Sequence, residues 1–111
     1  MDIQLLKENI KGIDIYILDQ ILKDRYQPGD KIFDAGCGNG RNLKWFYKSD
    51  CEIFGLDISS EDIEYCKGIY THQKENFIEA SIEQIPFEEN SFDHISCVCG
   101  YSIYTHKTQP E

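Results

Sequence analysis

Asp34-Ala35-Gly36-Cys37-Gly38-Asn39-Gly40 sets a carboxylate ahead of three glycines at alternate positions, and a second carboxylate, Asp57, follows 21 residues after Gly36. Glycines adopt positive φ readily and leave no Cβ between the backbone and a ligand. A helix starting at such a loop points free N–H groups at it, which favours a bound carboxylate or phosphate. A tight turn needing glycine for steric reasons is the plainer reading, but alternation at 36, 38 and 40 exceeds what one turn needs. Spacing then separates ligands. The dinucleotide fingerprint G-x-G-x-x-G requires glycine at 41, where Arg41 stands, and the phosphate loop G-x-x-x-x-G-K-[ST] is absent. G-x-G-x-G behind an acidic residue suits another adenosine-containing ligand. A carboxylate at 57, closing a strand, can accept both hydroxyls of a ribose; alternatively Asp57 caps the next helix from the surface.

Other reactive side chains are sparse. The five cysteines are Cys37, Cys51, Cys66, Cys97 and Cys99. An odd count without a CxxC pair argues against a disulfide framework and against a zinc site, so reduced thiols and no metal are expected. Cys97 and Cys99 alternate in an apolar run and read as small core residues on one side of a strand. His106, in Tyr101-Ser102-Ile103-Tyr104-Thr105-His106, is a candidate to orient a substrate or take its proton near neutral pH; a solvent-facing loop histidine is the competing reading. His72 and His94 read as incidental. Tyr16 and Tyr26 read as packing residues, with a lid as the alternative.

The positioning elements follow from periodicity. Ile3, Leu6 and Ile10 recur at helical spacing before Gly12, and Ile13, Ile17, Leu18, Ile21 and Leu22 form a second amphipathic set before Pro28-Gly29. Strands are expected at 31–35, 52–56, 77–80 and 92–99, the last buried on both faces. Helices are expected at 42–48 and 59–68, the second capped by Ser59 with Asp62 three positions on. Alternating strands and helices imply right-handed crossovers and a parallel sheet: one α/β domain, with a helical segment at 1–27 and a core at 31–106.

Composition narrows the function classes. Eleven basic against twenty acidic residues give a net charge of −9, which disfavours a nucleic-acid substrate. Only Lys44 and Lys48, with Arg41, form a local basic cluster. No apolar run reaches the ~20 residues of a membrane span and the start lacks a leader, so a cytoplasmic protein with a small-molecule partner and no membrane is expected.

Three stretches together resemble a known family. Residues 33–41 resemble motif I of class I S-adenosylmethionine-dependent methyltransferases, residues 53–59 their second motif, and residues 85–93 the approach to their fourth strand. The resemblance covers roughly residues 31–106. It implies S-adenosylmethionine as cofactor and methyl transfer to a small-molecule acceptor. Backbone around Gly36, Cys37, Gly38 and Gly40 would hold the methionyl end, with Asp34 organising its ammonium directly or through water. Asp57 would bind the ribose and Ile58 pack on the adenine. Ser81 and Ile82 would meet the adenine edge, and Cys97 would lie near the methionyl part. Ser81 departs from the aspartate common in the family, which leaves a neutral acceptor for the adenine amino group.

The family fold has seven strands in the order 3-2-1-4-5-7-6. This sequence offers four, in the order 3-2-1-4, with N-terminal helices: a shortened Rossmann-like sheet sandwiched by helices. The fourth strand would then be an apolar edge, to be covered by the remainder of a longer enzyme or by a homodimer. A non-catalytic cofactor-binding or interaction module, an inactive fragment of a longer methyltransferase and a nicotinamide-dependent oxidoreductase are the rival readings, the last opposed by the glycine spacing.

Overall fold

The computed structural model describes residues 2–84, 91–99 and 102–107, with backbone alone at 84, 98–99 and 102–107. Two short helices open the chain, α1 (Ile3–Ile10) and α2 (Ile15–Leu22), each started by an aspartate whose side chain accepts first-turn N–H groups: Asp2 from Gln4 and Leu5, Asp14 from Tyr16. Then come β1 (Lys31–Ala35), α3 (Lys44–Lys48), β2 (Glu52–Asp57), α4 (Ser60–Ile69), β3 (Phe77–Glu79), β4 (His94–Cys99) and β5 (Ser102–Lys107). Turns fill 41–43, so α3 is shorter than the periodicity suggests.

The first four strands form a parallel sheet in the order β3-β2-β1-β4. The first two crossovers place α3 and α4 against the sheet, as expected of β-α-β units. Alternation along β1 divides the core. Ile32 joins Ile17, Leu43, Phe46, Ile53, Ile63 and Phe77 on one side, while Phe33 and Ala35 join Leu56 and Phe92 on the other.

One expectation is overturned. β4 is not left as an edge: β5 runs back antiparallel beside it, pairing Ser96 with Thr105 and Cys97 with Tyr104. The segment carrying His106, where no strand was expected, is therefore a strand. Its run of Ile103, Tyr104 and Thr105 has the β-branched and aromatic character that suits a pleated ladder, and a hairpin satisfies the β4 backbone within one chain. The need for a second copy along β4 disappears with it.

Candidate functional site

Register brings the predicted residues to one edge of the sheet. Ala35 lies beside Leu56 and beside Cys97, and Asp57 beside Glu79. The 36–40 loop, Asp57-Ile58, Ser81-Ile82 and Cys97 thus share the carboxyl ends of four parallel strands, where open α/β sheets bind ligands. Residues 85–90, part of the third motif, lie outside the described residues.

Gly36, Gly38 and Gly40 have φ of +78°, +55° and +81°, a left-handed run that L-side chains resist. At Gly40 space is limiting as well: a Cβ there would stand 2.9 Å from Cys66 Sγ and 2.9 Å from Tyr70 Cε2. Tyr70 Oη donates to Gly40 O at 2.7 Å, which pins the loop to the end of α4.

The loop's N–H groups are turned inward. Gly36 and Cys37 donate to Leu56 O at 2.7 and 3.0 Å, Gly40 to Cys37 O at 3.0 Å, Gly38 to Asp57 Oδ2 at 2.9 Å, and Arg41 to Asn39 Oδ1 at 3.2 Å. At Gly36, Cys37, Gly38 and Gly40 the expectation of free N–H groups poised for an anion does not hold, because these four donors are satisfied against β2 and the loop itself. Beside these occupied donors the edge presents carboxylate oxygen, from Asp34 and Asp57.

Asp34 supplies the most telling of these. Its side chain is 1% exposed, and Oδ1 accepts from Ser96 Oγ at 3.1 Å. Among the described residues, Oδ2 is the one buried side-chain polar atom without a hydrogen-bond partner. Burial pushes the carboxyl from 3.8 up to about 7, with Asp57 adding to the rise and the Ser96 hydrogen bond and Arg41 opposing it. A buried carboxylate oxygen left unpaired costs free energy unless something cationic meets it. This orphan oxygen fits an ammonium-bearing cofactor.

Asp57 is half-buried and bridges two elements: Oδ2 takes the Gly38 N–H and Oδ1 the Ser59 N–H at 2.9 Å. A capping-box residue at 62 would normally satisfy the Ser59 N–H; Asp57 does so here, while Ser59 Oγ accepts from Asp62 N at 3.2 Å. A carboxylate offers about four lone-pair sites, so Asp57 keeps capacity for two hydroxyls. Ile58, next to it, is 74% exposed, a large apolar side chain open to a planar partner. Ser81 Oγ accepts from Glu83 N at 3.2 Å, and Ile82 is partly exposed.

Cys97 packs on the sheet face of Phe33, Ala35, Leu56 and Phe92, opposite to Asp34. Cys37 is buried; its thiol and that of Cys66 both reach Gly38 O, at 3.5 and 3.4 Å. The contact with Cys66 and burial push the Cys37 thiol far up, so it stays protonated and serves as packing. Among the described residues no disulfide joins Cys37, Cys51, Cys66 or Cys97. His106 has its backbone in β5 opposite Ile95; its side chain lies outside the described residues.

Three supporting residues escaped the sequence reading: Ser96, Tyr70 and Cys66. A signal existed for the first. His94 and Ser96 alternate with Ile95 and Cys97 in β4, and polar residues on one face of a buried strand need partners there. His94 Nε2 meets Asp30 Oδ2 at 3.1 Å and stacks edge-on against Tyr26, just as Ser96 meets Asp34. His94 is thus a buried clamp, not an incidental side chain, and Tyr26 packs between it and Phe46.

Comparison with known proteins identifies the family. A family described as "Methyltransferase domain" matches residues 33–108. Cycloartenol-C-24-methyltransferase of Arabidopsis thaliana is 31% identical over 98 residues, covering 84% of this chain and 28% of that protein. A TehB-like SAM-dependent methyltransferase from Corynebacterium glutamicum superposes with a TM-score of 0.63 at 27% identity, over 79% of this chain and 47% of that one. A SAM-dependent methyltransferase from Geobacter sulfurreducens, solved with S-adenosyl-L-homocysteine, shares the fold with a TM-score of 0.57 at 18% identity, over 79% and 37% of the two chains. The chain therefore spans under half the length of each of these proteins. With the family match covering most of its residues, it belongs to the methyltransferase-domain family.

Proposed function

We infer that the chain binds S-adenosylmethionine and serves methyl transfer to a small-molecule acceptor, as one cofactor-binding domain with a helical segment at 1–27. The observation that carries this reading is the orphaned, buried Asp34 Oδ2 behind a glycine loop in which the N–H groups of Gly36, Cys37, Gly38 and Gly40 are already bonded. Such an edge repels phosphate and suits a ligand with an ammonium and a ribose.

In this reading Asp34 Oδ2 accepts from the ammonium and Asp57 from the ribose hydroxyls. Ile58 lies on the adenine face, with Ser81 and Ile82 at its edge. Backbone at Gly36, Cys37, Gly38 and Gly40 forms the surface under the methionyl part, with Cys97 at the adjacent strand end. When bound, the cofactor supplies a sulfonium methyl open to displacement by a nucleophile. The chain's own contribution is alignment, so no dedicated acid or base is required, and His106 is a candidate to orient the acceptor. The names of curated relatives, which include cycloartenol and fatty-acid methyltransferases, support a small-molecule acceptor. Among the described residues no helix is long and apolar enough to cross a membrane, and the free thiols suit a reducing, cytoplasmic setting.

Titration calorimetry with S-adenosylhomocysteine tests the binding step. Micromolar affinity is expected, and absence of heat up to millimolar ligand from folded protein overturns the reading. Turnover with candidate acceptors is a separate readout: cofactor binding without methyl transfer to any of them marks a binding module instead.

A further inference from the structure

Four of the eleven lysines and arginines of this acidic chain gather around one cavity. Lys11, Arg41, Lys44 and Lys48 line a space of about 310 Å³ beside α3 and the second half of α4, with Glu8 the one acid on its wall. Tyr65 and Ile69, 56% and 42% exposed, form its organic side. Among the described residues none of the four cations takes part in an ion pair; Lys48 Nζ sits 5.9 Å from the centre of the Tyr47 ring.

The fold holds these charges together. Lys44 and Lys48 are four apart on α3 and share a face. The turn after α1 brings Lys11 near: Gly12, at φ +77°, lies under the Arg41 stem, whose Cδ would stand 3.6 Å from a Cβ at that position. Like charges held in one cavity repel, and a multiply charged anion relieves that repulsion. The cofactor edge presents the carboxylates Asp34 and Asp57, whereas this cavity presents cations, and of the proposed cofactor residues only Gly40 lines it. The two places select ligands of opposite charge.

We propose that this cavity binds an organic oligophosphate, with the phosphates among Lys11, Arg41, Lys44 and Lys48 and the organic part against Tyr65 and Ile69. Arginine offers a planar fork to phosphate and lysine a compact point charge, a combination suited to adjacent anionic groups. The volume falls at the lower end of the small-molecule range, roughly 300–1,000 Å³. This inference does not depend on methyl transfer.

Calorimetry on the full chain with pyrophosphate and with ADP tests it, each titrated at low and high salt and with S-adenosylhomocysteine present. Binding of both probes is expected, tighter for ADP and weakened by salt, and undisplaced by S-adenosylhomocysteine. The double variant Lys44→Glu/Lys48→Glu should lose at least about tenfold in affinity for both while keeping its melting temperature and its S-adenosylhomocysteine affinity. Should that variant not fold, Lys11→Glu serves with the same expectation. The proposal is overturned if pyrophosphate fails to bind at millimolar concentration, if S-adenosylhomocysteine displaces the probes, or if the folded variant binds them as the parent does.

Discussion

Replacing Asp34 by asparagine separates what this carboxylate does for the fold from what it does for the site. In the folded chain burial raises its carboxyl from 3.8 to about 7. Below pH 3.8 both folded and unfolded chains carry the proton, and the group makes no difference. Between 3.8 and about 7 the unfolded chain has lost the proton while the folded one keeps it, so folding becomes less favourable as pH rises. Above about 7 both are ionised and the cost is constant. At about 1.4 kcal/mol per tenfold change in acidity, that cost is on the order of 4 kcal/mol. Asparagine abolishes it but buries an amide nitrogen where no acceptor waits, which costs about 1–3 kcal/mol.

The Asp34→Asn variant should therefore be more stable than the parent by about 1–3 kcal/mol at pH 8, a melting-temperature gain of roughly 4–13 °C for a domain of this size. At pH 5, where the parent's carboxyl is already neutral, the gain should vanish or reverse. S-adenosylhomocysteine affinity should fall roughly 10- to 150-fold at pH 8, the worth of a charge-assisted hydrogen bond. Thermal denaturation at both pH values and calorimetry at pH 8 supply the readouts. An equal melting shift at pH 5 and pH 8 refutes the raised carboxyl; unchanged affinity refutes the ammonium contact.

In the parent, cofactor affinity should weaken as pH falls below about 7, by up to about tenfold per pH unit, since binding a cation draws the proton off Asp34; titrations from pH 5 to 8 would reveal a flat profile if this is wrong. Ser96→Ala removes the donor that opposes the rise, so the pH at which affinity begins to fall should move upward, as the same series would show. Tyr70→Phe deletes the 2.7 Å bond to Gly40 O and should cost about 1–3 kcal/mol in denaturant unfolding. Gly40→Ala meets both positive φ and two atoms at 2.9 Å; a loss of at least about 2 kcal/mol is expected, and an alanine variant melting with the parent would contradict the loop geometry.

Much of the fold was legible because its elements are short and locally specified. Lys31–Ala35 is bounded by turn residues, and Ser59 caps α4 as its side chain suggests. The antiparallel β5 escaped because its information is largely non-local: Ile103, Tyr104 and Thr105 suit a strand, but it is the open ladder of β4 beside Ser102–Lys107 that makes them one. The site divides along the same line. Glycine spacing and the two aspartates are written in the sequence, but the Ser96 contact depends on register across 62 residues, which pairs Asp34 with Ser96 and not with its neighbours.

Register also decides what the glycine loop is for. Glycine spacing alone leaves open a loop whose N–H groups cradle phosphate. Here Leu56 O takes two of those donors and Asp57 a third, and the one buried oxygen left over belongs to a carboxylate whose ionisation the fold opposes. An isolated phosphate would meet no donor at these three positions and two negative groups beside them, an arrangement that costs desolvation on both sides without a compensating bond. A ligand bearing an ammonium reverses each of these signs: it ionises Asp34, satisfies Oδ2, and recovers part of the free energy that burial of the carboxylate cost the free chain. Stability given up at Asp34 in the absence of ligand is thus returned on binding, so S-adenosylhomocysteine should raise the melting temperature more at pH 8 than at pH 5.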